Sequence, residues 1–326
     1  MAGLALDAGF RVIQGDALKV LRGMQDESVN CCVTSPPYWG LRDYGVPGQL
    51  GLEPTPELYT AHIVEVFREV RRVLRNDGTL WLNLGDSYAT GGGKVGDCPG
   101  GGAQGERWAG RGMNTKQPKW ATALGPICQP NRMPIAGLKP KDLVGIPWRV
   151  AFALQADGWY LRSDVIWSKG NPMPESVKDR PTRSHEYLFL LAKSQRYYYD
   201  SGAIAEARRP LQGSPYSSLD KAARSGIIGC SNGMRATTLR HRDSETRNRR
   251  TVWNVNPKPY KGAHFATFPP KLIEPCILAG APKGGIVLDP FSGAGTTGIV
   301  ALEHGRRYIG IELNPEYIAM SYARAS

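Results

Sequence analysis

The chain has 326 residues, with 41 Lys or Arg against 29 Asp or Glu, a formal net charge of +12, and an isoelectric point near 9.5. That length supports a full hydrophobic core with room for an insertion, which excludes a small disulfide-stapled scaffold. The positive surplus calls for an anionic partner, nucleic acid before membrane, since no apolar run approaches the ~20 residues of a spanning helix and Met1 to Asp7 lack the basic and apolar regions of a signal peptide.

Taken in chain order, Phe10–Gln14 is predicted as a strand, and residues 29–34 (Val-Asn-Cys-Cys-Val-Thr) as a short apolar one. Thr55-Pro56-Glu57 combines an N-cap with proline at the first helical position. Ile63, Val66, Phe67, Val70, Val73 and Leu74 follow at helical spacing, with Arg68, Arg71, Arg72 and Arg75 on the other face and a stop expected at Asn76-Asp77-Gly78. Strands are predicted over 79–84, 160–167, 186–192, 286–289 and 307–312, and helices over 143–155, 272–278 and from Thr296. Seven strands separated by helices imply an α/β fold, a mostly parallel sheet covered on both faces.

Charge is localised. Residues 91–120 hold ten of the 39 glycines and a net charge of +3, which predicts a mobile basic loop. From Glu206 to Lys261 there are twelve Lys or Arg and four Asp or Glu, including Arg247, Arg249 and Arg250. This stretch reads as a docking face, or as a solvated charge run in an insertion. The six cysteines are scattered, and neither they nor the five histidines form a zinc-site pattern, so no metal is expected and a reduced cytoplasmic protein fits.

Two segments carry chemistry. The first follows the strand at 286–289: Asp289-Pro290-Phe291-Ser292-Gly293-Ala294-Gly295-Thr296-Thr297-Gly298 is a strand, a glycine turn and a helix start, the setting in which open α/β sheets bind nucleotides. Glu312, 23 residues past Asp289, ends the next strand where a carboxylate can accept from ribose hydroxyls. The glycine pattern alone admits a nicotinamide cofactor. Asp289 ahead of it suits a cationic ligand without phosphates, S-adenosylmethionine, unless the side chain only caps the turn. The second segment, Ser35-Pro36-Pro37-Tyr38-Trp39, directly follows the strand at 29–34. Its prolines fix the backbone and remove two donors, leaving carbonyls, a hydroxyl and an aromatic face, which suit a planar base bearing an amino group.

These two motifs together resemble the amino-methylating DNA methyltransferases of bacteria and phage. The order, Ser35-Pro36-Pro37-Tyr38 first and Asp289 to Gly295 last, resembles the circularly permuted β group. The resemblance implies a Rossmann-like methyltransferase fold, S-adenosylmethionine as cofactor with S-adenosylhomocysteine as product, and double-stranded DNA as partner, a homodimer being admitted. It divides the chain into a catalytic half over 1–199, a target-recognition region over 200–255 and a cofactor-binding half over 256–326. Ser35, Pro36, Pro37 and Tyr38 would be catalytic. Asp16, Phe265, Ala266, Thr267, Phe268, Asp289, Pro290, Phe291, Ser292, Gly293, Gly295, Thr296, Thr297 and Glu312 would hold the cofactor, with Glu312 on its ribose and Asp16 at its adenine.

Serine at the first catalytic position is typical of N4-cytosine enzymes in this family, and aspartate of N6-adenine enzymes. A hydroxyl can accept from the N4 amine and donate to N3, which a carboxylate cannot. N4-cytosine is therefore expected, with N6-adenine as the alternative. Arg42, Lys169, Arg247, Arg249 and Arg250 are expected to contact DNA, and so is Trp39 unless it packs in the core. A C5-cytosine enzyme would need Cys276 as nucleophile, but that residue sits on an apolar helix. A zinc deaminase would need motifs the chain lacks. A non-enzymatic DNA binder on this fold would leave two intact ligand motifs unused.

Overall fold

A computed structural model describes residues 9–41, 46–89, 137–172, 174–207, 246–257 and 268–325. The expected glycine-rich loop over 91–120, Arg42, and Phe265, Ala266 and Thr267 lie outside them. The chain divides into two compact units, Met1–Tyr199 with Thr251–Ser326, and Asp200–Arg250.

The first unit is built on one sheet. Its strands are β1 (Phe10–Gln14), β2 (Val29–Thr34), β3 (Leu74–Leu84), β4 (Tyr160–Ser168), β5 (His185–Ala192), β8 (Val252–Asn254), β9 (Ile286–Asp289) and β10 (Arg307–Glu312). They run in the order β1-β10-β9-β2-β3-β5-β4-β8. All neighbours pair in parallel except at β5, which is antiparallel to both β3 and β4. The expected seven strands are joined by an eighth, β8, three residues paired on the outer side of β4. So short a segment has no periodicity of its own, and pairing alone makes it a strand. The second unit contains a two-residue pair, β6 (Glu206–Ala207) and β7 (Thr246–Arg247).

Helices α1 (Ala17–Arg22), α2 (Pro56–Val73), α3 (Ile146–Ala156), α4 (Pro270–Gly280), α5 (Thr296–Glu303) and α6 (Pro315–Ala325) complete the described elements. Helix α2 starts as its sequence dictates, with Thr55 accepting from the Leu58 amide and Pro56 in the first turn. Its apolar stripe, Ile63, Val66, Phe67, Val70 and Val73, is buried against β3 and α3. The helix ends earlier than the Asn76-Asp77-Gly78 signal suggests. Leu74 turns extended and pairs with Val29, and a register shift follows before Cys31 pairs with Thr79. Burying Leu74 completely outweighs three more residues of exposed helix. Among the described residues no helix is long and apolar enough to cross a membrane.

The topology places the site. Strands β2 and β9 are adjacent and parallel, with Cys31 opposite Val287 and Cys32 opposite Leu288. The turn after Thr34 and the loop after Asp289 therefore leave one sheet edge side by side, about 4.8 Å apart, with β10 and β1 ending at the same edge beyond them.

Candidate active site

Above that edge lies a cavity of about 340 Å³, within the range of small-molecule sites. Ser35 and Pro37 stand on its wall together with Asp289, Pro290, Phe291, Ser292, Gly293, Thr296 and Glu312, and with Asp16 and Phe268. Both sequence motifs thus open into one space. Among the described residues its wall includes Asp16, Glu65, Asp289 and Glu312, with one histidine, His62, and neither Lys nor Arg. These acids disfavour a pyrophosphate and suit a sulfonium with an ammonium group. The residues present suit S-adenosylmethionine and oppose a dinucleotide.

Acids at the ends of the neighbouring strands brace the glycine loop and α1. Glu312 accepts from the amides of Gly293 and Asn314, both at 2.8 Å, and burial raises its pKa. Asp16 caps α1 by accepting from the Lys19 amide at 2.9 Å. Gly295 has φ 75°, and a Cβ there would come within 2.7 Å of Ser321, so the turn into α5 requires glycine. Thr296 and Thr297 open that helix.

Asp289 corrects one expectation. Its carboxylate does not project at a ligand but is 1% exposed. It accepts from the hydroxyls of Thr34 at 2.6 Å and Thr297 at 2.7 Å and from the Phe291 amide at 3.1 Å. Thr34 is the residue before Ser35, so this single carboxylate joins the end of β2 to the cofactor loop. Burial pushes its pKa up to about 6 against the three hydrogen bonds that lower it.

The turn after β2 is braced from behind. Pro36 is buried, and the Pro37 carbonyl accepts from the Tyr59 hydroxyl at 2.9 Å. Trp39, expected either against DNA or in the core, is a core residue at 1% exposure, its indole donating to the Glu53 carbonyl at 2.7 Å. Glu53 also accepts from the Gly51 amide at 2.8 Å. An apolar ring with one donor, beside a buried backbone acceptor, is better satisfied inside. Lys169 does not extend outward for DNA either: it pairs with Glu186, with its ammonium 4.5 Å from the Trp167 ring centre.

The Tyr38 hydroxyl sits among Ser35 (3.2 Å), Asn83 (3.0 Å) and Glu186 (2.8 Å), and burial drives its pKa well up. Ser35 is the donor in its bond to Tyr38, so its proton is engaged there and, contrary to the expectation from sequence, is not free for a base N3. Sequence reasoning missed Asn83, Glu186 and Gly85. The last makes room for the tyrosine: a Cβ on Gly85 would lie 2.5 Å from the Tyr38 ring. A carboxylate at the start of the apolar strand β5 was the available signal for Glu186. The Cys276 thiol is buried and contacts the Leu272 carbonyl of its own helix. The Cys31 thiol is pushed up to about 12 by burial, so it presents no thiolate. Among the described residues no group of three or more His, Cys, Asp or Glu could hold a metal ion.

In the second unit Glu206 accepts from Arg247 at 2.8 Å and from Arg250 at 2.6 Å. Within the basic stretch, 208–245 and 258–261 lie outside the described residues.

Comparison with known proteins agrees with this geometry. The chain is 49% identical over 316 residues to the type II methyltransferase M.Cfr9I of Citrobacter freundii, covering 97% of this chain and 87% of that one. It is 47% identical to M.SmaI of Serratia marcescens, covering 96% and 90%. Its fold matches the PvuII DNA methyltransferase (cytosine-N4-specific) with a TM-score of 0.57 at 19% identity, over 97% and 86% of the two chains. It also matches a putative DNA modification methylase of Thermus thermophilus complexed with S-adenosyl-L-methionine, with a TM-score of 0.55 at 24% identity, over 97% and 94%. A sequence profile of the N6/N4 DNA methylase family covers residues 29–323. With the turn at 35–38 and the glycine loop opening into one acidic cavity, and that profile spanning both, the chain belongs to the DNA methylase family.

Proposed function

We propose that the protein transfers a methyl group from S-adenosylmethionine to the exocyclic N4 amine of a cytosine turned out of duplex DNA. The observation that carries this reading is the shared cavity: Ser35 and Pro37 face the Asp289–Gly295 loop across a space walled by carboxylates. When bound, S-adenosylmethionine supplies an electrophilic methyl group on a sulfonium. Glu312, Asp16 and the backbone of 290–295 would hold it, with Thr296, Thr297 and Phe268 closing that wall. The segment expected to continue it, Phe265 to Thr267, lies outside the described residues.

The work left to the catalytic turn is orientation. The amine's lone pair is delocalised into the ring, and acceptors at Ser35 Oγ and the Pro36 carbonyl draw its hydrogens so that the pair localises toward the cofactor side. The nitrogen becomes acidic once methylated, so no strong base is needed. A neutral residue at position 35 sets no charge beside the N3 lone pair of a cytosine. Serine in this position is also the N4-type form of the motif that the chain resembles.

Nucleoside analysis of DNA from cells expressing the protein tests the reading. N4-methylcytosine is expected, N6-methyladenine would move the assignment to adenine, and unmodified DNA would contradict it.

The region over 200–255, with ten Lys or Arg against five Asp or Glu, supplies the target recognition in this reading. Arg247 and Arg250 would exchange Glu206 for phosphates. Alanine at both is expected to weaken binding uniformly across sequences and to lower the salt slope by about one for each phosphate no longer neutralised. An unchanged slope would leave both arginines as internal partners of Glu206.

A further inference from the structure

The active site has a charged group behind it that the transfer reaction as described does not use. Glu186 is the second residue of β5, the one strand of the eight-stranded sheet that runs against its neighbours, so its first residues lie at the edge where the others end. There its carboxylate accepts from the Tyr38 hydroxyl at 2.8 Å and from the Asn83 amide at 3.3 Å, and it is paired with Lys169. Its side chain is 16% exposed and that of Lys169 21%.

The protons in this cluster can be counted. Asn83 Nδ2 donates to the Tyr187 carbonyl at 3.0 Å, which can only accept, so Asn83 Oδ1 faces Tyr38 as an acceptor. Glu186 is an acceptor as well. The single phenolic proton is therefore taken up by Asn83 and Glu186, and the phenol oxygen can only accept from Ser35, whose hydroxyl lies 3.2 Å away. Ser35 thus gives its proton inward, and its lone pairs are left for the cavity. Hydrogen bonds in such a chain polarise one another, so negative charge at Glu186 strengthens Ser35 as an acceptor.

We infer that Glu186, anchored by Lys169, is a positioning residue for the methyl transfer. Through Tyr38 it fixes the Ser35 hydroxyl as an acceptor for the target amine. This rests on the reading that the amine binds at Ser35, and it assigns to the Tyr38 hydroxyl a task separate from that of its ring.

Glu186→Gln, Tyr38→Phe and the double variant of the full-length protein test it by steady-state methyl transfer to DNA from labelled cofactor. Glutamine keeps the shape and removes the charge. Phenylalanine keeps the ring and removes the oxygen. Each single variant is expected to lose kcat by about 10- to 100-fold, with KM for S-adenosylmethionine within twofold of wild type. The double variant should be no slower than the slower single one, because both changes cut the same chain. Wild-type kcat in Tyr38→Phe would overturn the inference even if Glu186→Gln failed to fold, and so would losses that multiply in the double variant. Failure of the underlying reading shows separately, as a wild-type protein that puts no methyl on a DNA amine.

Discussion

Ser35→Ala is expected to reduce kcat by about 10²- to 10³-fold while leaving affinity for S-adenosylmethionine near wild type. The serine lines the cavity but belongs to the catalytic turn, not to the loop at 289–295. Its removal takes away an acceptor that matters more as the amine gains positive character than when the base first binds, and that difference falls on kcat. The turn keeps its shape without it, because the Tyr59 hydroxyl still holds the Pro37 carbonyl and Trp39 still anchors to Glu53. Radiolabelled transfer measured beside cofactor binding by calorimetry separates the two effects. Equal loss of both would make Ser35 a structural residue.

Asp289→Ala is expected to cost stability by about 2–4 kcal/mol and to lower cofactor affinity with it. Three buried donors, the Thr34 and Thr297 hydroxyls and the Phe291 amide, would lose their acceptor at once. The tie between the end of β2 and the cofactor loop would go with them. The same carboxylate gives a pH signature in the ligand-free protein. Its pKa is raised from 3.8 to about 6, so the folded state holds this proton more tightly than the unfolded chain. The stability it contributes is complete below pH ~4 and is lost as pH rises through ~6. Between pH 5 and 7 this amounts to about 1 kcal/mol. Chemical denaturation of Asp289→Asn, which cannot titrate, should show a smaller fall across that interval than wild type. Equal pH slopes would mean that the carboxylate is ionised throughout.

Most of the sheet was legible in the sequence because its central strands are buried on both faces and therefore read as apolar runs. Residues 29–34 and 286–289 are such runs, and each hands over directly to a motif at its carboxyl end. That the two motifs share one cavity depends on β2 and β9 being neighbours, which pairing decides and neither run encodes. Strand direction is likewise absent from composition. The run at 186–192 looks the same in either sense, yet only an antiparallel β5 carries Glu186 to the active edge. Trp39 and Asp289 show a further limit: residue type says what a side chain can bond, and the surrounding acceptors and donors decide which way it turns. For Trp39 the Glu53 carbonyl settles it, and for Asp289 the two threonines do.

The most direct test of the shared cavity is a crystal structure with S-adenosylmethionine bound. The methyl group should open toward Ser35 and Pro37, with the ribose at Glu312, the adenine at Asp16, and the reacting carbon positioned so that an amine held at Ser35 lies within about 3–3.5 Å. A cofactor seated with its methyl turned away from Ser35, or bound outside this cavity, would contradict the account.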